Sequence, residues 1–348
     1  MKKTAINIIV PVYNSAKYLP EFFLKLEEQF FQNYKVFIVY DVSEDNSLEM
    51  IQDQVNSKPE KYKLLVSPKK EGVGAARDYA LNSGEVDGEY ILFLDPDDYP
   101  EKEFLERLYN KAVETDADVV ACGFERFEDG TNIVLCTEMI HNPNIIVTDI
   151  KDFDLFAYMN PVVWNKLYKR EAIEGLRFTK VKRTEDVFWL MRMIPHIKSI
   201  VFINDVLYHY RVRSDSLLNT IGEKEYFEAI NGFEEVGKEI KENKISKEYV
   251  ELLDVIAFFR CGIGITYRSA INDIKSTKKY FNKSKQVLDE YYPGWRKNKF
   301  LKLSTCYKRG IKGIAIWGCS VLYKLNFFQL YVYLYYFFQK TFKTEIRW

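Results

Sequence analysis

Three carboxylates follow one apolar run of the chain, and their spacing suits metal-assisted chemistry on a phosphate. Tyr90–Leu94 are apolar or aromatic, and Asp95-Pro96-Asp97-Asp98 follows directly. In extended backbone Asp95 and Asp97 lie on the same side, because side chains alternate with a period of two. Two carboxylates this close repel each other unless a cation lies between them, and Mg²⁺ takes one or two carboxylates together with substrate phosphates. On this motif alone, an acidic turn that caps the next helix is an equally good interpretation.

The apolar run ahead of these acids is typical of a buried central strand, and the chain before it predicts the neighbouring strands. Three earlier runs are predicted to be strands: Ile6–Val12, Lys35–Tyr40 and Tyr62–Val66. Segments with apolar residues at helical spacing separate them. The resulting β-α-β-α-β-α-β order predicts an α/β fold, a mostly parallel sheet with helices on both faces.

Polar groups follow three of these strands at what should be one edge of the sheet. They are Asp41, a loop with Gly72 and Gly74, and the pair Asp95 and Asp97. Ligands bind outside the carboxyl ends of such strands, and glycines ahead of a helix let the backbone approach an anion. The glycines form neither a G-x-G-x-x-G fingerprint nor a Walker A loop, which disfavours hydride transfer and P-loop chemistry.

Composition separates an acidic body from a basic tail. The 348 residues carry 50 Lys or Arg and 50 Asp or Glu, so the formal net charge is zero. Arg296–Trp348 contains eleven Lys or Arg and one acid, Glu345, and therefore has a surplus of ten positive charges. The five cysteines are scattered without metal-ligand spacing, which predicts reduced thiols in the cytosol, and the N-terminus has no signal-peptide pattern. The basic tail predicts an anionic partner.

Four motifs in order resemble the family 2 glycosyltransferases, which have the GT-A fold. They are Ile8-Ile9-Val10-Pro11-Val12-Tyr13-Asn14, Val39-Tyr40-Asp41-Val42-Ser43-Glu44-Asp45-Asn46-Ser47, Gly72-Val73-Gly74-Ala75-Ala76-Arg77-Asp78 and the D-x-D motif Phe93-Leu94-Asp95-Pro96-Asp97-Asp98. Four motifs at plausible spacing are far more specific than any one alone. The resemblance implies a Rossmann-like GT-A domain, to which this chain adds a C-terminal helical extension.

The resemblance also implies roles at a nucleotide-sugar site. Asp41 would bind the nucleobase, usually uracil, and Asp95 would meet the ribose or metal side of the nucleotide. Asp97 would bind Mn²⁺ or Mg²⁺ at the diphosphate, with Asp95 as a second candidate ligand. The remaining residues expected to line the nucleotide are Pro11, Tyr13, Gly72, Gly74 and Arg77. Without the resemblance, Arg77 would be interpreted as a surface helix residue and Tyr13 as a half-buried core aromatic.

Three positions depart from the family's pattern. Tyr40 stands where the family has the first Asp of its D-D pair, Val42 where it has Gly, and Asp78 where it has Asn. Asp41 is kept, so base recognition is expected to survive. Because a β-branched residue avoids positive φ, the loop at Val42 is expected to follow a different path from that of the family.

A second acidic pair, Glu185-Asp186, precedes an apolar helical stretch. By itself this pair could simply favour the helix N-terminus. The resemblance identifies it as the family's E-D motif, with Asp186 as catalytic base and Glu185 assisting. An inverting glycosyl transfer needs a carboxylate that takes the proton of the acceptor hydroxyl as it attacks the anomeric carbon.

Two further stretches resemble elements of the family, and the first resembles one found in its capsule and lipopolysaccharide glycosyltransferases. Val162–Tyr168 is predicted to be a strand carrying W-N-K-L-Y, in which Lys166 faces an anionic group or, more commonly for such a residue, solvent. In Tyr208–Ser216, Arg211 or Arg213 is expected to contact the diphosphate, because Arg matches phosphate geometry. His209 is expected to be a packed strand residue.

The predicted organisation has three parts: a nucleotide-sugar half at 1–100, an acceptor half at 101–220 and a helical region at 221–348. Ile311–Phe338 is rich in aromatic residues, but Lys324 and Asn326 interrupt it and leave a run too short to span a membrane. Interfacial docking on the inner face of the plasma membrane is favoured over packing on the catalytic domain or on a homodimer partner. Nucleic acid is not an expected partner.

The predicted function is therefore an inverting, metal-dependent transfer from a nucleotide-sugar, with UDP favoured, to a saccharide or lipid-linked acceptor in surface polysaccharide synthesis. The alternative, motivated by the altered Tyr40–Val42 loop, is a non-catalytic glycosyltransferase-like protein that binds a saccharide or recruits a partner to the membrane. The donor sugar, the acceptor and the linkage do not follow from these motifs.

Overall fold

A computed structural model describes residues 4–68, 70–131, 133–140, 146–147, 156–157, 159–181, 184–213 and 221–342 of the chain. Contacts divide it into two compact units. The first comprises Met1–Asp152 and Met159–Asp215, and the second comprises Phe153–Tyr158 and Ser216–Trp348. The predicted division at 100 within the first unit, into nucleotide and acceptor halves, stays a prediction.

The first unit is built on a mixed sheet with ten strands in the described part of the chain. They are β1 (Ile6–Val12), β2 (Tyr34–Tyr40), β3 (Tyr62–Val66), β4 (Tyr90–Phe93), β5 (Tyr99–Pro100), β6 (Val119–Glu128), β7 (Val134–Glu138), β8 (Ile146–Val147), β9 (Lys166–Lys169) and β10 (Ile200–Val212). The main order is β3-β2-β1-β4-β9-β6-β10-β5, while β7 pairs with β6 and β8 with β10. The sheet is flanked by α1 (Leu19–Glu27), α2 (Ser47–Ser57), α3 (Val73–Leu81), α4 (Phe104–Thr115) and α5 (Glu185–Met193).

The parallel half of the sheet explains why the motifs converge. β1 lies between β2 and β4 and is parallel to both, so that Ile6 is in register with Tyr34 and with Tyr90. Every residue of β1 and of β4 is buried, as expected of strands covered on both faces. The carboxyl ends of these strands therefore meet at one edge, where Asp41 and Asp95 follow. The predicted α/β sheet is confirmed.

Some sequence-predicted details differ from the structure. The strand predicted over Val162–Tyr168 is confined to β9, because the residues before it form a turn. The apolar spacing of Glu101–Val113 predicts that Val113 faces the core, but Val113 is exposed, since Ala112 takes the inward position on α4 after Leu105 and Leu108. Helical periodicity alone tolerates an error of one residue at the end of an apolar stripe.

The second unit is helical in its described part, with an aromatic core. Its helices are α6 (Glu223–Glu242), α7 (Lys247–Ala257), a π-helix (Phe258–Ile265), α8 (Thr266–Asn272), α9 (Thr277–Tyr291), α10 (Leu303–Tyr307), α11 (Gly310–Lys324) and α12 (Phe328–Phe342). Phe258 stacks on Trp295 with ring centroids 5.1 Å apart. Among the described residues, none of the helices has the length and apolar character needed to cross a bilayer. The predicted helical C-terminal region is confirmed.

One buried acid of this unit makes its stability depend on pH. Burial raises the pKa of Asp254 to about 7, although the backbone N–H of Gly294 donates to its carboxylate. The pKa is higher in the folded state than in the unfolded state, so the folded state binds more protons between about pH 4 and about pH 7. The free energy of unfolding therefore falls as the pH rises through that range.

Asp254→Asn is expected to raise the free energy of unfolding by on the order of 2–4 kcal/mol at about pH 8, and by almost nothing at about pH 4. The amide keeps an oxygen for the Gly294 N–H and removes the buried charge. Urea denaturation at the two pH values measures the difference. Glu248→Gln, at an exposed position, is the control and should show no such contrast. Equal effects of Asp254→Asn at both pH values would contradict this account.

Candidate functional site

Two carboxylates follow β4 and remain open to a ligand. Asp95 Oδ1 accepts a hydrogen bond from Arg77 Nη2 at 2.6 Å, and Asp97 Oδ2 lies 3.1 Å from Arg213 Nη1. Each carboxylate side chain is 25% exposed. Burial, and then repulsion from Asp95, raises the pKa of Asp97. The two arginines thus leave repulsion between the two carboxylates, and a bound cation would reduce it.

The third acid of the motif is part of the scaffold. Asp98 is buried, and its Oδ1 accepts from the backbone N–H of Arg211 at 2.8 Å. Its Oδ2 accepts from the Tyr208 hydroxyl at 3.1 Å. Burial raises the pKa of this carboxyl well above its usual range. Both oxygens therefore attach β10 to the end of β4, and this attachment places Arg213 beside Asp97.

The two candidate arginines of β10 are used differently. Arg211 donates to Asp129 Oδ1 at 3.2 Å, to Glu21 Oε2 at 2.5 Å and to the Asp97 carbonyl at 2.7 Å. Arg213 is more exposed and pairs with the Asp97 carboxylate itself. Arg211 thus joins α1 and the end of β6 to the acidic turn. Arg213 is the arginine that stands beside the predicted metal ligand.

The acid at the end of β2 has one buried oxygen that is not paired with any described residue. Asp41 is buried, its Oδ1 has no hydrogen-bond partner in the described part of the chain, and burial raises its pKa. Tyr13, which follows buried Pro11 in β1, is 44% exposed, and Lys70 Nζ lies 3.7 Å from the centroid of its ring. A buried acceptor beside an exposed aromatic ring suits a heterocyclic base with an N–H group.

The altered loop after β2 closes without positive φ. The Tyr40 hydroxyl accepts from the Ser43 N–H at 2.9 Å, and Ser43 Oγ donates to the Asp41 carbonyl at 2.9 Å. Positive φ occurs instead at Asn14, whose N–H donates to Ser43 Oγ at 2.9 Å. Val42 is exposed. Tyr40, the residue that departs from the family pattern, therefore supports the loop that carries Asp41.

The loop with Gly72 and Gly74 was expected to approach a ligand. At Gly74 it packs against other residues of the chain instead. A Cβ at Gly74 would lie 3.0 Å from Phe178 Cβ, 3.1 Å from the Thr179 carbonyl and 3.3 Å from Glu185 Cγ. Gly72, just before α3, has φ +98° and needs glycine for its backbone. Gly74 is thus required for the close approach of α3 to Phe178, Thr179 and Glu185.

Arg77 is the central cation of the site. It is 2% exposed, lies over the rings of Phe93 and Phe178, and donates to Asp95 and, through Nη1 at 3.0 Å, to Glu185 Oε1. The interpretation of Arg77 as a surface helix residue is wrong. One buried guanidinium links the D-x-D turn to the E-D helix, and its planar fork suits two carboxylates.

The contacts of Asp78 explain why an acid can stand where the family has Asn. Its two carboxylate oxygens accept the Phe178 N–H at 2.9 and 3.1 Å. Burial raises the pKa of Asp78 to about 6, while the Phe178 N–H and the nearby Arg192 and Arg177 act to lower it. Gly74, Arg77 and Asp78 all lie against Phe178, and Gly74 and Arg77 also lie against Glu185, so α3 positions the second acidic pair.

That pair opens α5. Thr184 has φ +65°, a conformation unusual for a β-branched residue and often found at functional sites. Asp186 Oδ1 accepts from the Val187 N–H at 2.8 Å. Burial, and then the negative charge of Asp186, raises the pKa of Glu185, and Arg77 opposes this shift. Arg183, which precedes Thr184 in the predicted motif, lies outside the described residues.

Two polar residues of the sheet, Lys166 and His209, are buried, and only the burial of Lys166 departs from the sequence-based expectation. Lys166 is buried, and its Nζ donates to the carbonyls of Asn160 and Val162 and to Asn165 Oδ1, at 3.0, 2.5 and 2.9 Å. The expectation that Lys166 faces solvent or a ligand is wrong. His209 is packed as expected, with both ring nitrogens 2.8 Å from carboxylates of Glu101 and Glu125. The alternation of side chains along a strand does not predict the hydrogen-bond partners of Lys166 and His209, and the two partners of His209 are distant in sequence.

In the described part of the chain, no three His, Cys, Asp or Glu side chains are arranged to hold a metal by themselves. Asp95 and Asp97 offer two carboxylates with partial exposure, and repulsion from Asp95 contributes to the raised pKa of Asp97. This donor set fits a Mg²⁺ or Mn²⁺ ion that arrives with substrate phosphates rather than a structural ion.

Comparisons with known proteins agree with this geometry. The family described as glycosyl transferase family 2 matches residues 7–177. Glycosyltransferase GlyG of Streptococcus pneumoniae serotype 4 is 31% identical over 225 residues, which cover 62% of this chain and 73% of GlyG. A poly(ribitol-phosphate) beta-glucosyltransferase of Bacillus spizizenii is 30% identical over 60% of this chain, but the match covers 32% of that protein. The crystal structure of S. aureus TarS 1-349 with UDP-GlcNAc is 19% identical, covers 92% of both chains and has a TM-score of 0.69, which shows a common fold.

Proposed function

Because the chain belongs to glycosyl transferase family 2 and has the GT-A fold, we propose that it transfers a sugar, with inversion, from a UDP-sugar to a saccharide or lipid-linked saccharide. The UDP-GlcNAc complex of TarS supports a uridine donor, and the activity named for the Bacillus spizizenii relative supports a cell-surface polymer as product. We place this activity at the cytoplasmic face of the membrane, where nucleotide-sugars and lipid-linked acceptors meet.

The observation that carries the proposal is the bridge made by Arg77. Its buried guanidinium donates to both Asp95 and Glu185. Asp95 is at the expected nucleotide side, and Glu185 is next to Asp186, the expected catalytic base. A transferase that joins two substrates needs its leaving-group side and its nucleophile side at a fixed separation. A single rigid cation between the two acidic motifs provides that separation, and the ring contacts with Phe93 and Phe178 immobilise it.

On the donor side, the chain's own groups bind the base and meet the diphosphate. Asp41 Oδ1 accepts the base N–H, and the exposed ring of Tyr13 offers a face for the base. Arg213 lies beside Asp97 and can donate to a phosphate oxygen. A divalent cation held by Asp97 and Asp95 would supply positive charge for the departing diphosphate.

On the acceptor side, Asp186 accepts the proton of the acceptor hydroxyl as that oxygen attacks the anomeric carbon, and the sugar–phosphate bond breaks with its electron pair on the UDP oxygen. The Val187 N–H donates to one carboxylate oxygen of Asp186 and so orients this side chain at the start of α5. Glu185, restrained by Arg77, keeps the first turn of α5 in place.

A nucleotide panel tests the proposal. Thermal stabilisation by UDP with Mn²⁺, and UDP release that depends on an added saccharide acceptor, are the expected results. The alternative function, a non-catalytic saccharide-binding or recruiting protein, is motivated by the altered loop at Tyr40–Val42. Absence of metal-dependent binding of every nucleoside diphosphate tested would favour that alternative and exclude the transferase.

Asp97→Asn is expected to weaken Mn²⁺-dependent binding of UDP at least about tenfold, because one anionic ligand becomes a neutral amide. Calorimetric titration with and without a chelator measures the effect, and the chelator should abolish binding to the parent protein. Asp87→Asn changes an exposed carboxylate elsewhere and should bind UDP normally. Binding that is insensitive to both chelation and Asp97→Asn would refute the metal role.

A further inference from the structure

The helix α12 is apolar on two faces, and only one of them is covered. On the inner face, Phe328, Val332 and Tyr335 are buried. Phe328 packs 4.5 Å from the Tyr323 ring and Tyr335 packs 5.3 Å from the Tyr267 ring, centroid to centroid. This face accounts for how α12 is held in the second unit, so the opposite face is not needed for its folding.

The outer face of α12 is an exposed apolar stripe, defined by Leu330, Tyr333, Leu334 and Phe337. These four are 51%, 44%, 61% and 69% exposed in that order. Their spacing of i, i+3, i+4 and i+7 places them side by side on one face. The turn before the helix adds Leu325 and Phe327, also exposed. Scattered exposed apolar residues are ordinary, but a contiguous stripe of this kind marks an interaction surface.

Charge and length indicate what covers this stripe. Residues 310–342 contain three lysines and no acid, within a C-terminal segment of Arg296–Trp348 whose surplus is ten positive charges. Lys324 is exposed at the end of α11. The 15 residues of α12 span about 22 Å, too short to cross a hydrocarbon core of about 30 Å. A lipid surface accepts tyrosine and phenylalanine at headgroup level and attracts lysine when its lipids are anionic.

We propose that the outer face of α12 docks in the plane of a membrane that carries anionic lipids. The basic segment supplies the electrostatic attraction and the stripe supplies the apolar burial, the two signals that stable peripheral binding requires. A second copy of this chain fits the surface less well. A two-fold dimer through this face would bring two segments with a surplus of ten positive charges together.

This inference concerns where the protein is held and does not depend on the proposed chemistry. Its test uses the full-length chain, with flotation on vesicles of phosphatidylcholine alone and of phosphatidylcholine mixed with phosphatidylglycerol. The double variant Leu334→Glu/Phe337→Glu changes only the outer face, and Lys324→Glu changes a charge near it. Leu24→Glu is the matched control, since Leu24 is an equally exposed leucine of α1.

The expected result is binding to the mixed vesicles and not to phosphatidylcholine alone. We expect binding to become at least tenfold weaker in the double variant, to weaken in Lys324→Glu and to be unchanged in Leu24→Glu. The far-UV circular dichroism and the thermal unfolding midpoint of every variant should match those of the parent, which shows that each is folded. The proposal is overturned if the parent protein ignores anionic vesicles or the double variant floats like the parent. It is also overturned if light scattering shows a dimer that the double variant dissociates while lipid binding is absent.

Discussion

Asp186→Asn is expected to lower the rate of sugar transfer by about 10²–10⁴-fold, the usual contribution of a general base, while UDP binding stays within about twofold of the parent. The amide still accepts the Val187 N–H that the carboxylate accepts at 2.8 Å, so the geometry at the start of α5 is retained. Only the ability to take a proton is lost. Initial rates of UDP release with acceptor, compared with calorimetric UDP binding, separate chemistry from binding.

The control for this experiment is Glu174→Gln, which changes an exposed carboxylate in the same unit. It should transfer sugar at the parental rate. If Asp186→Asn turned over normally, the base would have to be another group, and Glu185 would be the first candidate because it is adjacent. If Asp186→Asn lost UDP binding as well, the carboxylate would be acting on the donor rather than on the acceptor.

Arg77→Met is expected to cost both stability and activity, because it leaves Asp95 and Glu185 without their shared cation. Breaking a buried ion pair from one side typically lowers the free energy of unfolding by about 3–5 kcal/mol. Arg77 is 2% exposed and donates at 2.6 and 3.0 Å to two carboxylates, so the upper part of that range is expected. Chemical denaturation measures the change. A loss below about 1 kcal/mol would contradict the assignment of Arg77 as the central cation.

Two companion variants separate the positioning role of Arg77 from simple misfolding. Arg77→Lys keeps the charge but not the fork, so kcat should fall while the KM for donor changes less. Protonation of Glu185 would break its ion pair with Arg77, which positions the start of α5, and would lower the rate. Because Arg77 acts to lower the pKa of Glu185, a weaker contact raises that pKa, so this loss of rate at acidic pH should begin at higher pH. In Arg77→Met/Glu185→Gln, removal of one stranded carboxylate should restore part of the stability but not the activity. An unshifted pH profile in Arg77→Lys would argue for a purely structural role.

The order of the motifs was predictable from sequence because it depends on local pattern. Alternating apolar strands and helices define a parallel sheet, and parallel strands place their carboxyl ends at one edge. The sequence pattern therefore predicts that Asp41, Asp95 and Asp97 lie at the same edge of the sheet. Asp186 could be selected only through the resemblance to a family, because an acidic pair at a helix start is also ordinary capping chemistry.

The partners of these residues were not predictable. Arg77 and Glu185 are 108 positions apart, and Asp98 and the Arg211 N–H are 113 positions apart. No periodicity in a single sequence encodes such pairings. From the sequence alone, Gly74 was expected to approach a ligand and Lys166 to face solvent or a ligand. No separate role was predicted for Asp98. Tertiary packing assigns all three to the scaffold.

The sheet, its acidic edge and the basic, aromatic tail could each be predicted, because each follows from the residue types within one stretch of chain. The tertiary structure decided which acids remain open and which are already bonded. It also decided that α3 carries the cation between the two acidic motifs, and that α12 exposes one of its two apolar faces. The physical reason is that burial and ion pairing depend on contacts between distant segments, which form only when the chain is folded.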